Sequence, residues 1–534
     1  MEAKQVQYKK TGLLAIKIDP GLNRKLIAVL QLIPKCKRHP AGYWTCPLSY
    51  KNVEVLDKHK VKLCPKLQEY LFGKPEEVKL AKVKIKGLKG KLRNYQKEGV
   101  SFIEAVGGKG LIADEMGVGK SLQAIAYLQL HPELRPAIVI VPGCVKYKWE
   151  REIIKWVDKP GQIQILQGQT ADEKITGDII IANYDILHYW RTKLYKAGFK
   201  AVVIDEVQYI KNNTAKRTNV VIRLGKKAKA VIGLSGTPIE NRPIELYNFI
   251  RICKPKLFKD RFSFGLEYCG AYNGQYGWNF NGASNTIKLN KLLREHIMIR
   301  RLKKDVLKEL PEIQYNVIPL SLSNAKDYDR ANTDFIEFVK ETKGIKAASA
   351  AERAQTLAQL AELKKLAALG KYQEAIQWID DFLETGQKLV VAYWHKEIGN
   401  MFMSKYGTMA VKIDGSVSNK DKIAQKFQTN KKIKIAFVNM KAGGVGLDLF
   451  AASNIVIFEY PWSPSLIAQV IARIHRIGQT SNKVSAHYMV GIDSIDDKLV
   501  QILDKKQNII TQVMDGKNVD EEYLISELID NIMN

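Results

Sequence analysis

The sequence predicts an α/β protein: two parallel-sheet domains with helical insertions, preceded by a small accessory domain. At 534 residues the chain is too long for one ordinary hydrophobic core. Short β-branched runs alternate with amphipathic stretches in two separate blocks, the pattern of a parallel sheet wrapped by helices. Each block also holds a Gly-rich turn between a strand-like run and a helix-forming stretch. Hydrophobic residues at 46% and charged residues at 26% describe a globular chain rather than a disordered or fibrous one.

Taken in order, residues 1–75 form a basic accessory domain with some strand content, since LLAIKIDPG and GYWTCPLSY mix short apolar stretches with turn residues. Residues 76–91 are a basic linker in which Lys alternates with apolar residues. That alternation fits a strand with one wet face or a strip lying along phosphate. Residues 92–310 are the first α/β domain, with strand runs GLIAD, AIVIVP, DIIIANY, AVVIDE and AVIGLS. An aromatic- and Gly-rich, mostly helical insertion occupies 242–300, and RRLKKDVLKELP leads out of it. Residues 311–500 are the second α/β domain, with runs KLVVAYW, AVKIDG, IKIAFVN, NIVIFEY and VSAHYMV. Its helical insertion spans 322–370, and residues 347–369 there are rich in strong helix formers. Residues 501–534 read as a helical tail, acidic over its last twenty positions.

Lys plus Arg outnumber Asp plus Glu by 84 to 55, a net charge of +29. Residues 1–97 carry 23 basic and 7 acidic side chains, so +16 of that excess lies there. A surplus so placed points to a polyanionic partner, nucleic acid first, against a Lys-rich face that only aids solubility. No run has the length to cross a bilayer, and the N-terminus has no signal-like apolar stretch. Six cysteines without a CxxC pair indicate reduced thiols. Cys36, His39, Cys46 and Cys64 lack the paired spacing of structural zinc sites, and Cys144, Cys253 and Cys269 read as packing residues.

The chemistry begins at Asp114-Glu115-Met116-Gly117-Val118-Gly119-Lys120-Ser121, a Gly-rich turn between GLIAD and the helix-forming LQAIAYLQL. Such a turn cradles phosphates: backbone N–H groups face them, Lys120 adds a charge at the β/γ position, and the Ser121 hydroxyl can ligate Mg²⁺. Asp114 stands where the general pattern has its first Gly. Asp205-Glu206 ends an apolar strand, where Asp205 can reach Mg²⁺ and Glu206 can orient or deprotonate the attacking water. Ser235-Gly236-Thr237 ends another strand and offers hydroxyls able to sense the γ-phosphate. In the second domain, Lys441, Gly443 and Gly444 lie in a second strand-to-helix turn. Gln469 follows, and then Arg473 and Arg476, three apart and so on one helical face, suited to act as arginine fingers.

ADEMGVGKS, VIDEVQYIKN, GLSGTPIEN, IRRLKKDVLKELP, KAGGVGLDLFAASNIVIFEYPWSPS and QVIARIHRIGQ occur in one order. Over about residues 92–500 the chain thereby resembles the Swi/Snf-type ATPases of helicase superfamily II. The resemblance implies two RecA-like domains, ATP and Mg²⁺ as cofactors, and movement along double-stranded DNA. It makes Leu92 to Gln96 the adenine-recognising segment, with Arg93 among its ATP-binding residues and Gln96 reading the base. It also puts Lys211, Asn212 and Arg217 near the DNA track. Gln208 departs from the His common in the wider superfamily. GKYQEAIQWIDDFLETGQKLVVAYWHKEI and GYWTCPLSYKNVEVL are similar to the HepA-related annealing-helicase branch, which implies forked DNA as substrate. The expected protein is a monomer of prokaryotic or viral origin and cytoplasmic, or nuclear if eukaryotic. A strand-separating helicase on DNA or RNA, or a DNA-binding scaffold with a degenerate nucleotide site, are the alternatives.

Overall fold

In the computed structural model the described residues are 78–274, 277–341, 350–417, 419–443 and 446–499, with stretches between 2 and 67 and positions 503 and 514. The expected helical tail, apart from those last two positions, lies outside them.

The N-terminal strands β1 (Glu2–Gln7), β2 (Leu14–Ile18), β3 (Lys37–Arg38), β4 (Trp44–Pro47) and β5 (Lys62–Leu63) form a sheet in the order β3-β4-β2-β1-β5. With the helix Arg24–Leu32 it closes on a small core of Ile16, Ile18, Leu30, Cys46, Val53 and Leu56. Cys46 is part of that core, and Cys36 and Cys64 pack against it. The linker then runs in extended form over the first lobe. Val78, Val83, Ile85 and Leu88 pack inward while Lys79, Lys82, Lys84, Lys86 and Lys89 face water. Among the described residues, a bridge from Leu88 to Val157 and a bond from Lys89 Nζ to the Ile154 carbonyl at 2.9 Å tie it to the lobe's backbone.

The first lobe is built on β6 (Lys109–Ile112), β7 (Ala137–Val141), β8 (Ile163–Ile165), β9 (Ile179–Asn183), β10 (Ala201–Asp205) and β11 (Ala230–Leu234). A hairpin of β12 (Tyr272–Gly274) and β13 (Gly277–Asn279) stands apart, and β14 (Met298–Ile299) returns to the sheet. The sheet is wholly parallel, in the order β14-β6-β11-β10-β7-β9-β8. Every residue of β7, β9 and β11 is buried, because helices cover both faces, and so these strands read as unbroken apolar runs. The two edge strands went unread in the sequence. β8 has three residues and β14 two, too few to display a period, and β14 falls inside the stretch read as insertion.

The second lobe carries β15 (Ile313–Leu320), β16 (Leu389–Tyr393), β17 (Ala410–Ile413), β18 (Ile435–Asn439), β19 (Asn454–Ile457) and β20 (Val484–Gly491), parallel in the order β15-β20-β19-β16-β18-β17. The unexpected strand is β15. It pairs on one side only, leaves Tyr315 and Val317 exposed, and accommodates Pro319, which an inner strand could not. The long helix expected around 347–369 is present as Ala350–Gly370. Both lobes keep a core on each sheet face. The chemistry-bearing segments follow the C-terminal ends of β6, β7, β10 and β11, the edge at which an open parallel sheet binds its ligands.

Candidate active site

The turn after β6 gives way at once to the helix Lys120–Leu130. Gly117 and Gly119 hold φ of 87° and 86°, a region that other residues enter only under strain. The turn is therefore fixed by glycine, and it leads directly into the helix N-terminus, where unsatisfied backbone N–H groups favour an anion. Lys120 Nζ donates to the carbonyls of Asp114 and Glu115, at 2.9 and 3.2 Å. Burial lowers the Lys120 pKa, while Glu206, Asp114 and Asp205 pull it back up. The turn is braced from behind: Tyr95 Oη and Gln96 Nε2 both donate to the Val118 carbonyl, and Gln96 Oε1 accepts from the Arg93 N–H.

Asp114 is wholly buried, and its carboxylate is committed to Arg301 and to Gln123 Nε2. Arg93 likewise turns outward and pairs with Glu309. Met116 packs under the turn against Gly236.

At the end of β10, Trp149 Nε1 donates to Asp205 Oδ2 at 2.8 Å, and Tyr184 Oη donates to the Asp205 carbonyl at 2.6 Å. Burial and the adjoining Glu206 carboxylate push the Asp205 pKa upward, and the Trp149 bond opposes them. Glu206 adopts φ 58°, a left-handed conformation that costs a non-glycine residue about 1–3 kcal/mol and recurs at functional sites. Its side chain accepts from Gln208 Nε2 at 2.9 Å, and Ser235 Oγ donates to Gln208 Oε1 at 2.8 Å. Ser235 Oγ also lies 3.3 Å from Glu206 and accepts from the Thr237 N–H. Gln208 therefore joins the acidic pair to the Ser235–Thr237 turn.

The second lobe closes over this edge. Its helix Pro464–Ile474 buries Gln469 and Arg473. Gln469 Nε2 reaches Thr237 Oγ1 at 3.5 Å, and a Cβ on Gly117 would lie 3.0 Å from the Arg476 Cβ. Burial, with Arg476 alongside, pulls the Arg473 pKa down to about 10, with Glu206 and Asp448 opposing. Arg476 pairs with Asp448, which also receives Lys148 Nζ from the first lobe at 3.1 Å. Lys148 further donates to the Gly446 carbonyl, and Arg151 bridges to Asp421 at 2.7 Å.

Lys211 is ion-paired with Glu240 and Arg217 donates to the Tyr209 carbonyl. Asn212 closes a local turn with Thr214. Lys441 is exposed and Gly443 ends the short helix Met440–Gly443; Gly444 lies outside the described residues. Sequence reasoning missed Lys148, Trp149, Tyr184, Asp448 and Lys303. Position after a strand end was the available signal for Lys148, Trp149 and Tyr184; nothing local marked the other two.

The SNF2-related domain family matches residues 95–369, and the helicase conserved C-terminal domain matches 370–478. The chain is 32% identical over 447 residues to the Xenopus laevis SWI/SNF-related matrix-associated actin-dependent regulator of chromatin subfamily A-like protein 1, covering 82% of this chain and 45% of that protein. It is 30% identical over 447 residues to the Homo sapiens DNA annealing helicase and endonuclease ZRANB3, covering 80% and 41%. The chain thus spans less than half the length of either relative. The Sulfolobus solfataricus SWI2/SNF2 ATPase core in complex with dsDNA is 25% identical, covers 81% of this chain and 95% of that one, and superposes with a TM-score of 0.40.

Proposed function

The chain belongs to the SNF2-related family, and from that premise we propose that it is a DNA-dependent ATPase that translocates on double-stranded DNA and remodels or reanneals structures such as forks. The observation that carries this reading is the meeting of Gly117 and Arg476, from opposite lobes, at one turn. The donor set fits Mg²⁺·ATP: two positive-φ glycines and a helix N-terminus for phosphate, and the oxygens of Ser121 and Asp205 for a hard cation. Bound Mg²⁺·ATP supplies the phosphoanhydride that is hydrolysed. Lys120 neutralises phosphate charge, Glu206 orients water, and Arg473 and Arg476 stabilise the charge that develops in the transition state. Gln96 recognises the base through the segment that braces Val118.

Gln208 passes the state of Glu206 to Ser235 and Thr237, and Thr237 to Gln469 of the other lobe, which couples hydrolysis to closure. Lys211, Asn212, Arg217, Lys441 and Gly443 contribute the DNA track, and the exposed linker lysines add phosphate contacts. Binding is accordingly strongly salt-dependent and weakly sequence-dependent. Reannealing is carried over from the name of the human relative. The protein acts as a monomer in the compartment that holds its DNA; no helix among the described residues is long and apolar enough to cross a membrane.

The test is ATP hydrolysis with no nucleic acid, duplex, single strand, forked DNA and RNA, beside a Glu206→Gln control. Stimulation by duplex or forked DNA that vanishes in the control supports the reading, and fork preference supports reannealing. Stimulation by RNA alone, or by nothing, overturns it.

A further inference from the structure

The segment between β14 and the second lobe is bonded to the phosphate turn residue by residue. Arg300 donates to the Ala113 and Gly236 carbonyls, at 2.9 and 3.2 Å. Arg301 holds Asp114. The backbone N–H of Lys303 donates to Glu115 Oε2 at 2.8 Å, and the Glu115 N–H donates to the Arg301 carbonyl at 2.9 Å. This run therefore moves with the first lobe.

The Lys303 side chain crosses to the second lobe. It is 4% exposed, and its Nζ donates to the His475 carbonyl at 2.7 Å and lies 3.4 Å from His475 Nδ1. His475 Nε2 stands 2.8 Å from the Pro311 carbonyl, which can only accept. Nε2 thus carries the proton, and Nδ1 offers its lone pair to Lys303. His475 follows the last residue of the helix Pro464–Ile474 and stands between Arg473 and Arg476. A cation at this carbonyl caps the negative end of the arginine helix. Its charge is balanced on the first-lobe side by Glu115, 3.8 Å away. A Cβ at Gly117 would be 3.4 Å from Lys303 Cε and 3.0 Å from Arg476 Cβ, so turn, lysine and arginine share one junction.

We propose that Lys303 is a positioning residue that ties the phosphate turn, through Glu115, to the helix end carrying Arg473 and Arg476, so that lobe closure and arginine placement are one event. Half of its partners exist only when the lobes meet. When they part, the His475 carbonyl and ring lose the ammonium and the arginine helix loses its cap. Lys303 touches neither phosphate nor water nucleophile in this role; it acts through the arginines. The inference rests on the proposed ATPase reading and deepens it.

The test measures DNA-stimulated ATP hydrolysis and binding of a fluorescent ATP analogue for the full chain, Lys303→Met and Lys303→Arg. With Lys303→Met, kcat should fall about tenfold or more while nucleotide affinity stays within about threefold, because closure and not ground-state binding is lost. The groups facing Lys303 are Glu115 and Lys120 of the first lobe and Arg473, His475 and Arg476 of the second. Burial lowers the Lys303 pKa to about 8. Wild-type kcat should therefore decline as pH rises through that value, and Lys303→Arg, still charged there, should lack the decline while keeping measurable activity.

Wild-type kcat in Lys303→Met, losses of kcat and nucleotide affinity in equal proportion, or an alkaline decline retained by Lys303→Arg would each overturn the inference. Absence of hydrolysis in the wild type refutes instead the ATPase reading on which it stands, so the two failures are distinguishable.

Discussion

Replacing Arg301 by Met strands the buried charge behind the phosphate turn, and removes as well the Arg301 bonds to the Tyr95 carbonyl and Gln123 Oε1. Asp114 is 0% exposed, and its carboxylate receives Arg301 Nε at 2.9 Å and Nη2 at 2.5 Å. Removing one partner of a buried pair leaves an uncompensated charge, at a cost of about 3–5 kcal/mol. Two donors to Asp114 would remain, Gln123 Nε2 at 2.9 Å and the backbone N–H of residue 301 at 3.1 Å, which sets the expectation at the low end, about 3 kcal/mol. The two lobes need not unfold together, so one melting temperature would mix them. Hydrogen exchange read on peptides containing β6 and the helix Lys120–Leu130 reports the first lobe alone. A loss of about 3 kcal/mol accelerates exchange there roughly a hundredfold, and leaves β16 and β18 of the second lobe unchanged. Adding Asp114→Asn removes the stranded charge and should restore about 2 kcal/mol, a coupling that only contacting residues show. Exchange within about threefold of wild type in the single variant, or a double variant as damaged as the sum of its parts, would refute the account.

Gln208→Leu deletes the bond to the Glu206 carboxylate and the acceptor of Ser235 Oγ. Hydrogen bonds to charged groups contribute about 1.5–3 kcal/mol, so DNA-stimulated kcat should drop roughly ten- to a hundredfold, with a smaller loss in DNA-free hydrolysis; equal losses would show that Gln208 couples nothing. Gly119→Ala forces a side chain into φ 86° and sets its Cβ 2.6 Å from Gln96 Nε2. Left-handed backbone costs such a residue about 1–2 kcal/mol, and the brace on Val118 must also shift, so the KM for ATP should rise about tenfold. An unchanged KM would mean that the turn does not need glycine there.

The sequence by itself determined the two α/β lobes and the chemistry-bearing segments. Each signal was contiguous: β7, β9, β10 and β11 are apolar runs because both sheet faces are covered, and Gly117, Gly119 and Lys120 act within one turn. Arg473 and Arg476 were legible as part of one contiguous stretch, but the expected shared helical face is not what aligns them: the helix ends at Ile474, so Arg476 lies beyond it. Short edge strands carried no such signal, and β8, β14 and β15 emerged only from pairing. Tertiary structure alone decided what the polar residues beside the motifs do. Asp114 reads from sequence as part of the cradle, yet its partner is Arg301, 187 residues away, and parallel pairing of β14 with β6 brings the two together. Lys303 meets His475 across 172 residues, and Trp149 meets Asp205 because β7 lies next to β10. Local geometry follows from spacing along the chain, whereas the partner of a buried charge is set by which strands and lobes come to lie side by side.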